Sequence, residues 1–286
     1  MNKIAIIYNP NAGSAKIKKL LKIKERLSLK SSVTIYDTQK PGDATSIAKR
    51  ECKNFDIIVA AGGDGTINEV INGIDVNTKL GIIPLGTANI LAIEAGIKND
   101  VKSICKLIEK GNTKKIYISN INDKKFFLMA GIGYDGDIVH KMKPSLKKIF
   151  GKAMFGFLGL LEFFKLKKYN IKVETESETA FGNWVLVTNS KHYAGPYKIT
   201  KSTSIFNDSI VCYVFNDLSR LGFLYYIFLI IFYGDLSRSK KVTKIISKNI
   251  KISSKEKINV QCDGEKYGNL PIEINFSSES VNLLTA

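Results

Sequence analysis

Residues 59–73 read VAAGGDGTINEVING, so an apolar run leads into a cluster of glycines and then into a helical pattern. Ile67, Val70, Ile71 and Ile74 recur at the spacing that places side chains on one face of an α-helix, which predicts a strand, a tight loop and a helix. Glycine at such a junction permits a positive φ and lets other atoms come close to the main chain. The group that comes close is either a second segment of the chain or a phosphorylated ligand.

The chain up to about Gly111 repeats this alternation. The short apolar runs KIAIIY, SVTIYDT, FDIIVAA and LGIIP are separated by segments with helical spacing, and Asp43 is the expected N-cap of the helix in GDATSIAKREC. Strands that alternate with helices predict a mainly parallel sheet with helices on both faces. Ligands bind such sheets outside the carboxyl ends of the strands, and the loops NPNAGS, GGDGT and PLGTAN all follow predicted strands.

From about Lys114 onward the predicted strands are short, polar turns separate them, and a hairpin is expected at Asn122 and Asp123. Two helical segments, at about residues 144–168 and 217–233, interrupt the strands. The pattern therefore predicts an α/β protein with two domains. Residues 1–113 form a three-layer α/β domain with a parallel sheet, and residues 114–286 form an antiparallel β-sandwich, with the last residues free to return to the first domain.

The chain is strongly basic, with 43 Lys and Arg against 26 Asp and Glu and a net charge of +17. Such a surplus favours an anionic partner, either nucleic acid or an anionic membrane surface. Lys far outnumbers Arg, whereas base recognition relies on Arg, and no recognisable nucleic-acid-binding module accompanies the charge. Nucleic acid is therefore set aside as a partner.

The four cysteines are far apart and form no CxxC pair, which fits a reducing, cytoplasmic compartment, and no signal peptide is visible. The apolar run LGFLYYIFLIIFYG at residues 221–234 is shorter than the roughly 20 residues that a spanning helix needs. It is either a buried core helix or a helix on the membrane surface. The sequence does not decide between monomer and homo-oligomer.

The loop GGDGT has the chemistry of an anion site, because main-chain N–H groups meet the N-terminus of a helix there. It is neither a Walker A loop nor the GxGxxG fingerprint. Asp64 and Glu69 add carboxylates for a metal ion or for a nucleotide hydroxyl. A tight turn between strand and helix remains the structural alternative.

GGDGTINEVING followed by IPLGTANILA resembles the catalytic domain of the diacylglycerol kinase family, which includes bacterial lipid kinases and is related to the sphingosine and ceramide kinases. NPNAGS and YDTQKPGDATSIAK resemble the family's earlier loops, AGIGYDGDIV resembles a small-residue hairpin that opens the second domain, and QCDGE resembles its C-terminal Asp-Gly-Glu. These stretches occur in the family's order from residue 9 to residue 265, so the resemblance covers nearly the whole chain.

The resemblance implies an ATP-dependent kinase that uses Mg²⁺ and acts on a lipid in a membrane. Asp64 would help to position the catalytic Mg²⁺, and Asp263 and Glu265 would lie near the lipid hydroxyl, one of them as general base. The residues that would hold ATP, chiefly by its phosphates, are Asn9, Thr38, Gly62, Gly63, Asp64, Gly65, Thr66, Ile67, Asn68, Glu69 and Thr87.

Two stretches depart from the family pattern. In IFNDSIVCYVF the resemblance implies a structural Mg²⁺ held by the side chain of Asp208 and the carbonyl groups of Ile205 and Ile210. Ser209 replaces the family's glycine, so a required positive φ would weaken that site, and an ordinary turn Asp is the alternative. In PLGTANILA, Ile90 stands where many members have Asp.

The leading hypothesis is in-line transfer of the γ-phosphoryl group of ATP to a hydroxyl of a diacylglycerol-like lipid. NAD kinase shares the GGDG loop, but there the Asn-Glu pair comes later in a separate loop, whereas Asn68 and Glu69 follow almost directly here. A non-catalytic protein that binds nucleotide and membrane is the third reading. Apolar helices with interleaved lysines favour peripheral membrane association of a cytoplasmic protein.

Overall fold

The computed structural model describes residues 1–12, 16–142, 152–193 and 195–285. These form two compact units, unit 1 of Met1–Ile118 with Glu279–Ala286, and unit 2 of Ser119–Ser278. Residues 13 and 14 of the first predicted loop and the start of the helical segment predicted at 144–168 lie outside the described residues.

Unit 1 alternates strands and helices as the sequence predicts. In chain order they are β1 (Asn2–Tyr8), α1 (Ile17–Ser28), β2 (Ser31–Asp37), α2 (Asp43–Glu51), β3 (Ile57–Gly62), α3 (Asp64–Gly73), β4 (Lys79–Pro84), α4 (Ile90–Glu94) and α5 (Val101–Lys110). β1 pairs in parallel with β2 and β3, and β3 pairs in parallel with β4. The predicted parallel sheet is confirmed, and the carboxyl ends of its strands share one edge.

The core of unit 1 is built from the residues that the periodicity selects. Every residue of β3 is buried, as expected for a strand between two others, and α3 buries Ile67, Val70 and Ile71. α1 packs against α5, and α2 packs against α3. α3 thus packs on α2 and begins at Asp64, inside the glycine cluster.

The sequence predicted that Asp43 is the N-cap of α2, and this prediction is wrong. Gly42 occupies the N-cap position with a φ of 89°, and Asp43 is the first residue of the helix. Its carboxylate accepts hydrogen bonds from the N–H groups of Gln39 and Lys40, at 2.8 and 3.0 Å. The side chain closes the turn before the helix instead of capping the helix itself.

The strand pairs described within unit 2 are antiparallel, and helices interrupt the strands. The strands are β5 (Thr113–Ile121, entering from unit 1), β6 (Lys124–Phe126), β7 (Met129–Ile132), β8 (Ile171–Glu174), β9 (Thr179–Gly182), β10 (Trp184–Thr188), β11 (His192–Tyr193), β12 (Tyr197–Lys198), β13 (Ile210–Phe215), β14 (Val242–Ser247), β15 (Asn249–Ser253), β16 (Asn259–Cys262), β17 (Glu265–Asn269) and β18 (Ile272–Leu284, ending in unit 1). The helices are α6 (Tyr134–Lys141), α7 (Lys152–Phe164) and α8 (Arg220–Phe228), and a π-helical turn, Leu229–Tyr233, continues α8.

These strands form a sandwich, which confirms the predicted fold class. One sheet has the order β14-β13-β10-β7-β16-β17, and the other contains β9, β8, β15 and β18 together with β5 and β6. Alternate residues of both sheets, such as Val187 and Ile252, meet in one buried cluster. The predicted hairpin at Asn122 and Asp123 joins β5 to β6.

The outer face of the six-stranded sheet is covered by aromatic side chains from the helices. Trp184 stacks on Phe215 with ring centroids 3.9 Å apart, and Tyr134 of α6 and Phe223 of α8 pack around them. Among the described residues, no helix is long and apolar enough to cross a membrane.

AGIGYDGDIV is not the small-residue hairpin that the sequence predicted. It is the end of β7 followed by Gly133, with a φ of 84°, and then by α6. A Cβ atom on Gly136 would lie only 2.0 Å from the carbonyl oxygen of Asn259 in β16. The small residues therefore let a helix pack directly on the main chain of the strand that leads to Asp263.

Replacing Gly136 with Ala should destabilise unit 2, because the new methyl group meets main chain that has little room to move. We expect a loss of about 1–3 kcal/mol in the free energy of unfolding. Trp184 is the only tryptophan and lies in unit 2, so its fluorescence during urea unfolding measures the effect. Gly159→Ala is the matched control, because a Cβ there has ordinary contacts of 3.5 Å or more. Equal unfolding midpoints for the two variants would contradict this packing argument.

Candidate functional site

A cavity of about 130 Å³ opens in unit 1 where β1, β2 and α3 meet. Asn9, Thr38, Thr66 and Glu69, all predicted as nucleotide-binding residues, line it. Asn9 and Thr38 directly follow β1 and β2, and Thr66 and Glu69 lie on α3. The parallel order of the strands brings together side chains that are far apart in the sequence.

Hydrogen bonds fix the side chains of this cavity. The amide of Asn9 donates to Oγ1 of Thr66 at 3.1 Å. Oε2 of Glu69 accepts from the N–H of Ala44 at 3.2 Å, and the Glu69 carbonyl accepts from the hydroxyl of Thr45 at 2.8 Å. Glu69 thereby binds the N-terminus of α2, where the helix dipole favours a negative charge.

The glycines of the GGDGT loop serve close packing, and none of them has the positive φ that glycine permits. Gly63 has a φ of −93°, and neither Gly62 nor Gly65 is among the glycines with positive φ. A Cβ on Gly62 would lie 2.4 Å from Oγ1 of Thr66, and a Cβ on Gly86 would lie 2.4 Å from Cα of Gly63. The loop after β4 therefore comes close to this main chain.

Asp64 joins the loops after β3 and β4. Its side chain is half-buried, and Oδ1 accepts a hydrogen bond from the N–H of Leu91 at 3.2 Å. Burial raises the pKa of Asp64, while hydrogen bonds from the N–H groups at the start of α4 act in the opposite direction. The carboxylate stabilises the beginning of α4, directly beside the Ile90 that departs from the family pattern.

The other predicted nucleotide residues lie outside the cavity. Ile67 is fully buried in the core, and Oδ1 of Asn68 accepts from the amide of Asn72 at 3.0 Å. Thr87 is exposed in the loop after β4.

Sequence reasoning missed three polar residues of the cavity, Asn11, Gln39 and Lys40. The sequence did contain an indication of them, because each residue follows β1 or β2 at the carboxyl edge of the sheet, where ligands bind. Lys40 places a cation at the rim, and a cation there can neutralise a bound phosphate.

In unit 2, Asp263 and Gly264 form the two-residue turn between β16 and β17. Their φ values are 49° and 79°, and Cys262 pairs with Glu265, which is the geometry of a type I′ hairpin. The N–H of Gly264 donates to Oε1 of Gln261 at 2.9 Å. Glu265 begins β17 with an exposed side chain.

The carboxylate of Asp263 is held by three main-chain donors. Oδ1 accepts from Leu128 and Met129, both at 3.0 Å, and Oδ2 accepts from Phe127 at 3.1 Å. The N–H of Asp263 donates back to the carbonyl of Met129 at 2.8 Å. Three N–H donors stabilise the negative charge and hold the turn against the start of β7.

The segment predicted to bind a structural Mg²⁺ has an exposed Asp208 between the buried Ile205 and Ile210. Ser209 does not have a positive φ, so the missing glycine causes no backbone strain. Within the described residues, no group of three or more His, Cys, Asp and Glu side chains could hold a metal ion. His192 is buried in β11.

A buried acid lies behind the Asp263 hairpin. Asp135 of α6 accepts a hydrogen bond from the hydroxyl of Tyr193 at 2.7 Å. Both Asp135 and Gln261 come so close to Gly131 that a Cβ there would lie within 2.7 Å of each. Burial raises the pKa of Asp135 from 3.8 to about 7, although the hydrogen bond from Tyr193 acts in the opposite direction.

Comparison with known proteins gives two family matches that together cover most of the chain. Residues 3–121 match the diacylglycerol kinase catalytic domain, and residues 129–285 match the YegS C-terminal NAD kinase beta sandwich-like domain. Proteins named diacylglycerol kinase from Staphylococcus aureus strains bovine RF122 / ET3-1 and MRSA252 are 32% identical over 279 residues, covering 93% of this chain and 87% of theirs. The chain belongs to the diacylglycerol kinase family. It is therefore a lipid kinase, a phosphotransferase that uses ATP.

Solved structures show the same fold for this family member. A protein from Bacillus anthracis strain Sterne matches with a TM-score of 0.85 at 23% identity, covering 100% of this chain and 95% of that chain. A second structure from the same strain, described as a diacylglycerol kinase, has a TM-score of 0.79 at 22% identity, with coverage of 100% and 97%. At these identities the likeness concerns the fold alone.

The buried acid makes the stability of this kinase depend on pH. Asp135 keeps its proton in the folded state up to about pH 7, whereas the unfolded chain releases it near pH 3.8. Its contribution to stability is present below about pH 4 and is lost as the pH rises to about 7. Asp135→Asn should therefore be more stable than the wild type at about pH 8, by up to about 4 kcal/mol, and this advantage should shrink toward pH 4.

Urea unfolding followed by Trp184 fluorescence at about pH 5 and about pH 8 measures this difference. Asn keeps an oxygen that accepts from Tyr193, so the change removes mainly the ionisation. A stability difference that is the same at both pH values would show that Asp135 does not titrate in this range.

Proposed function

We propose that this lipid kinase transfers the γ-phosphoryl group of ATP to a hydroxyl of a diacylglycerol-like lipid. The observation that carries the proposal is the cavity at the carboxyl edge of the parallel sheet, where Asn9, Thr38, Thr66 and Glu69 meet. The curated relatives named diacylglycerol kinase, aligned over 93% of this chain, support the choice of acceptor.

The cavity suits the phosphates of ATP. A volume of about 130 Å³ is small beside the 300–1,000 Å³ of typical ligand pockets, so a phosphate group fits it better than a whole nucleotide. Hydroxyl and amide groups from Thr38, Thr66 and Asn9 supply neutral hydrogen bonds, and Lys40 supplies charge. Phosphoryl transfer depends mainly on such positioning and charge neutralisation.

We assign the catalytic Mg²⁺ to Asp64, because Mg²⁺ in kinases is held by one or two carboxylates together with phosphate oxygens. A bound cation would favour the ionised carboxylate and so oppose the effect of burial on its pKa. The second proposed ion site remains Asp208 with the carbonyl groups of Ile205 and Ile210.

The proton of the lipid hydroxyl passes to Asp263 or Glu265 in this proposal. The three N–H donors fix the Asp263 carboxylate in place. Glu265 lies two residues away with an exposed carboxylate. Because the acceptor is a lipid, we place the enzyme in the cytoplasm, at the surface of the membrane.

Of the variants Asp263→Asn and Glu265→Gln, the one that removes the base should lower kcat about a hundredfold or more, because general base catalysis contributes about 10²–10⁴ to the rate. The assay follows transfer of radiolabelled phosphate from ATP to diacylglycerol in detergent micelles with Mg²⁺. Glu273→Gln, a surface acid whose side chain is 55% exposed, is the matched control. A general base acts only in its ionised form, so the activity of the wild type falls at low pH where the base is protonated. The variant that lacks the base should not show this fall in its residual activity, which identifies the base.

Other results would contradict this assignment. Phosphorylation of NAD without lipid would favour an NAD kinase, in line with the name of the matched C-terminal domain. ATP binding without turnover on any lipid would favour a non-catalytic protein. Full activity of both amide variants, with Trp184 fluorescence unchanged, would place the base elsewhere.

Lys40→Ala should weaken ATP binding about threefold to tenfold, because one exposed cation is removed from the rim of the phosphate site. Isothermal titration calorimetry with a non-hydrolysable ATP analogue measures the change. Lys53→Ala is the control, since Lys53 is exposed in the same unit and does not line the cavity. If both variants bind the ATP analogue with the same affinity, Lys40 does not contribute to the phosphate site.

A further inference from the structure

Unit 2 exposes a row of large apolar side chains on α7, α8 and the π-helical turn that follows α8. We call this set the apolar face, and its main members are Leu160, Phe164, Leu221, Leu224, Ile231 and Phe232. The side chain of each of these six residues is at least 53% exposed, and that of Leu221 is 81% exposed. A soluble protein rarely leaves such a continuous apolar surface in water without an interaction that uses it.

The helices that carry the apolar face contact each other. The guanidinium group of Arg220 donates to the carbonyl of Phe164 at 3.3 Å, and the rings of Phe163 and Phe223 lie 5.6 Å apart. α8 continues without interruption into Leu229–Tyr233. The exposed side chains therefore belong to one surface.

The opposite side of α8 is anchored in the protein. Phe223 and Tyr226 are buried, and Tyr226 packs against Phe215 with ring centroids 4.9 Å apart. The sequence left open whether this segment is a core helix or a membrane-surface helix, and each reading describes one of its sides. Folding explains the buried side and leaves the exposed side without an explanation.

The charges around the apolar face are mainly positive. Arg220, Lys165 and Arg238 are exposed beside it, and the guanidinium of Arg238 lies 4.2 Å from the centre of the Tyr233 ring. Of the neighbouring acids, Glu162 pairs with Lys141 and Asp217 pairs with Lys241, while Asp235 accepts hydrogen bonds from Ser237. The surface thus combines exposed apolar side chains with a cationic rim.

We propose that the apolar face is the surface by which this protein docks on an anionic lipid bilayer. Its apolar side chains enter the boundary between headgroups and acyl chains, while Lys165, Arg220 and Arg238 contact anionic headgroups. A symmetric pair of chains joined through this face would bring its cationic rims together, which disfavours a second copy as the occupant. The proposal rests on the proposed function, which requires access to a lipid acceptor.

Co-sedimentation with phospholipid vesicles, without ATP, tests the docking. The probe vesicles contain phosphatidylcholine alone or an equal mixture with phosphatidylglycerol. Leu221→Glu combined with Phe232→Glu should lower the vesicle partition coefficient tenfold or more, since each buried side chain contributes about one to two powers of ten. The matched control combines Leu29→Glu with Phe181→Glu, whose exposed fractions are 80% and 57%, and it should bind as the wild type does.

The cationic rim has its own test. Arg220→Gln combined with Arg238→Gln should lower binding to the mixed vesicles about tenfold or more, because each cation near an anionic surface contributes about fivefold. Binding to pure phosphatidylcholine should change little. An equal loss on both kinds of vesicle would contradict the role of the cations.

Two results would overturn the proposal, provided that Trp184 fluorescence shows the variants to be folded. One is vesicle binding by the Leu221→Glu and Phe232→Glu variant that equals that of the wild type. The other is sedimentation velocity showing that this variant turns a dimer into a monomer while its vesicle binding is unchanged. Failure of the proposed kinase function is a separate result. A wild-type protein that binds vesicles but phosphorylates no lipid in detergent micelles would refute the proposed kinase activity without contradicting the docking surface.

Discussion

The carboxylate of Asp263 holds the start of β7 by accepting three main-chain N–H groups, and the geometry of the unit 2 site depends on that contact. It fixes the hairpin that carries Glu265 and leaves the N–H groups of residues 127–129 with a charged partner. Asp64 has a similar position in unit 1, where it binds the start of α4. Asp263 and Asp64, two of the acids that the sequence selects for chemistry, therefore also stabilise the fold, so a loss of activity on their removal has meaning only beside a measurement of folding.

The glycine-rich loop illustrates how one motif can serve packing and binding together. Gly63 and Gly86 let the loops after β3 and β4 touch through their main chains, and Gly62 leaves room for the side chain of Thr66. Thr66 in turn accepts from Asn9 and lines the cavity. A methyl group on any of these glycines would displace the residues that we assign to the phosphates, even though the glycines themselves do not line the cavity.

Periodicity was sufficient to predict β1 to β4, the helices between them and the sandwich, because those elements bury long apolar stripes. It failed for α6, whose first turn contains Gly136 and two acids and has little helical propensity of its own. That helix is stabilised by packing on Asn259, a contact between residues more than a hundred positions apart, which no local pattern reveals. Sequence analysis missed Lys40 and Asn11 as cavity residues for a similar reason. They are distant from Glu69 in the sequence, and only the parallel order of the strands shows that all three line one cavity.

The final strand, β18, has a consequence for folding. Its last residues pair in parallel with β4, Asn282 with Lys79 and Leu283 with Leu80, although more than two hundred residues separate the partners along the chain. Before this pairing forms, β4 has an open edge that a strand of another molecule can pair with. The sheet of unit 1 is therefore completed by a distant segment, and a variant that weakens this pairing would expose a strand edge that promotes aggregation.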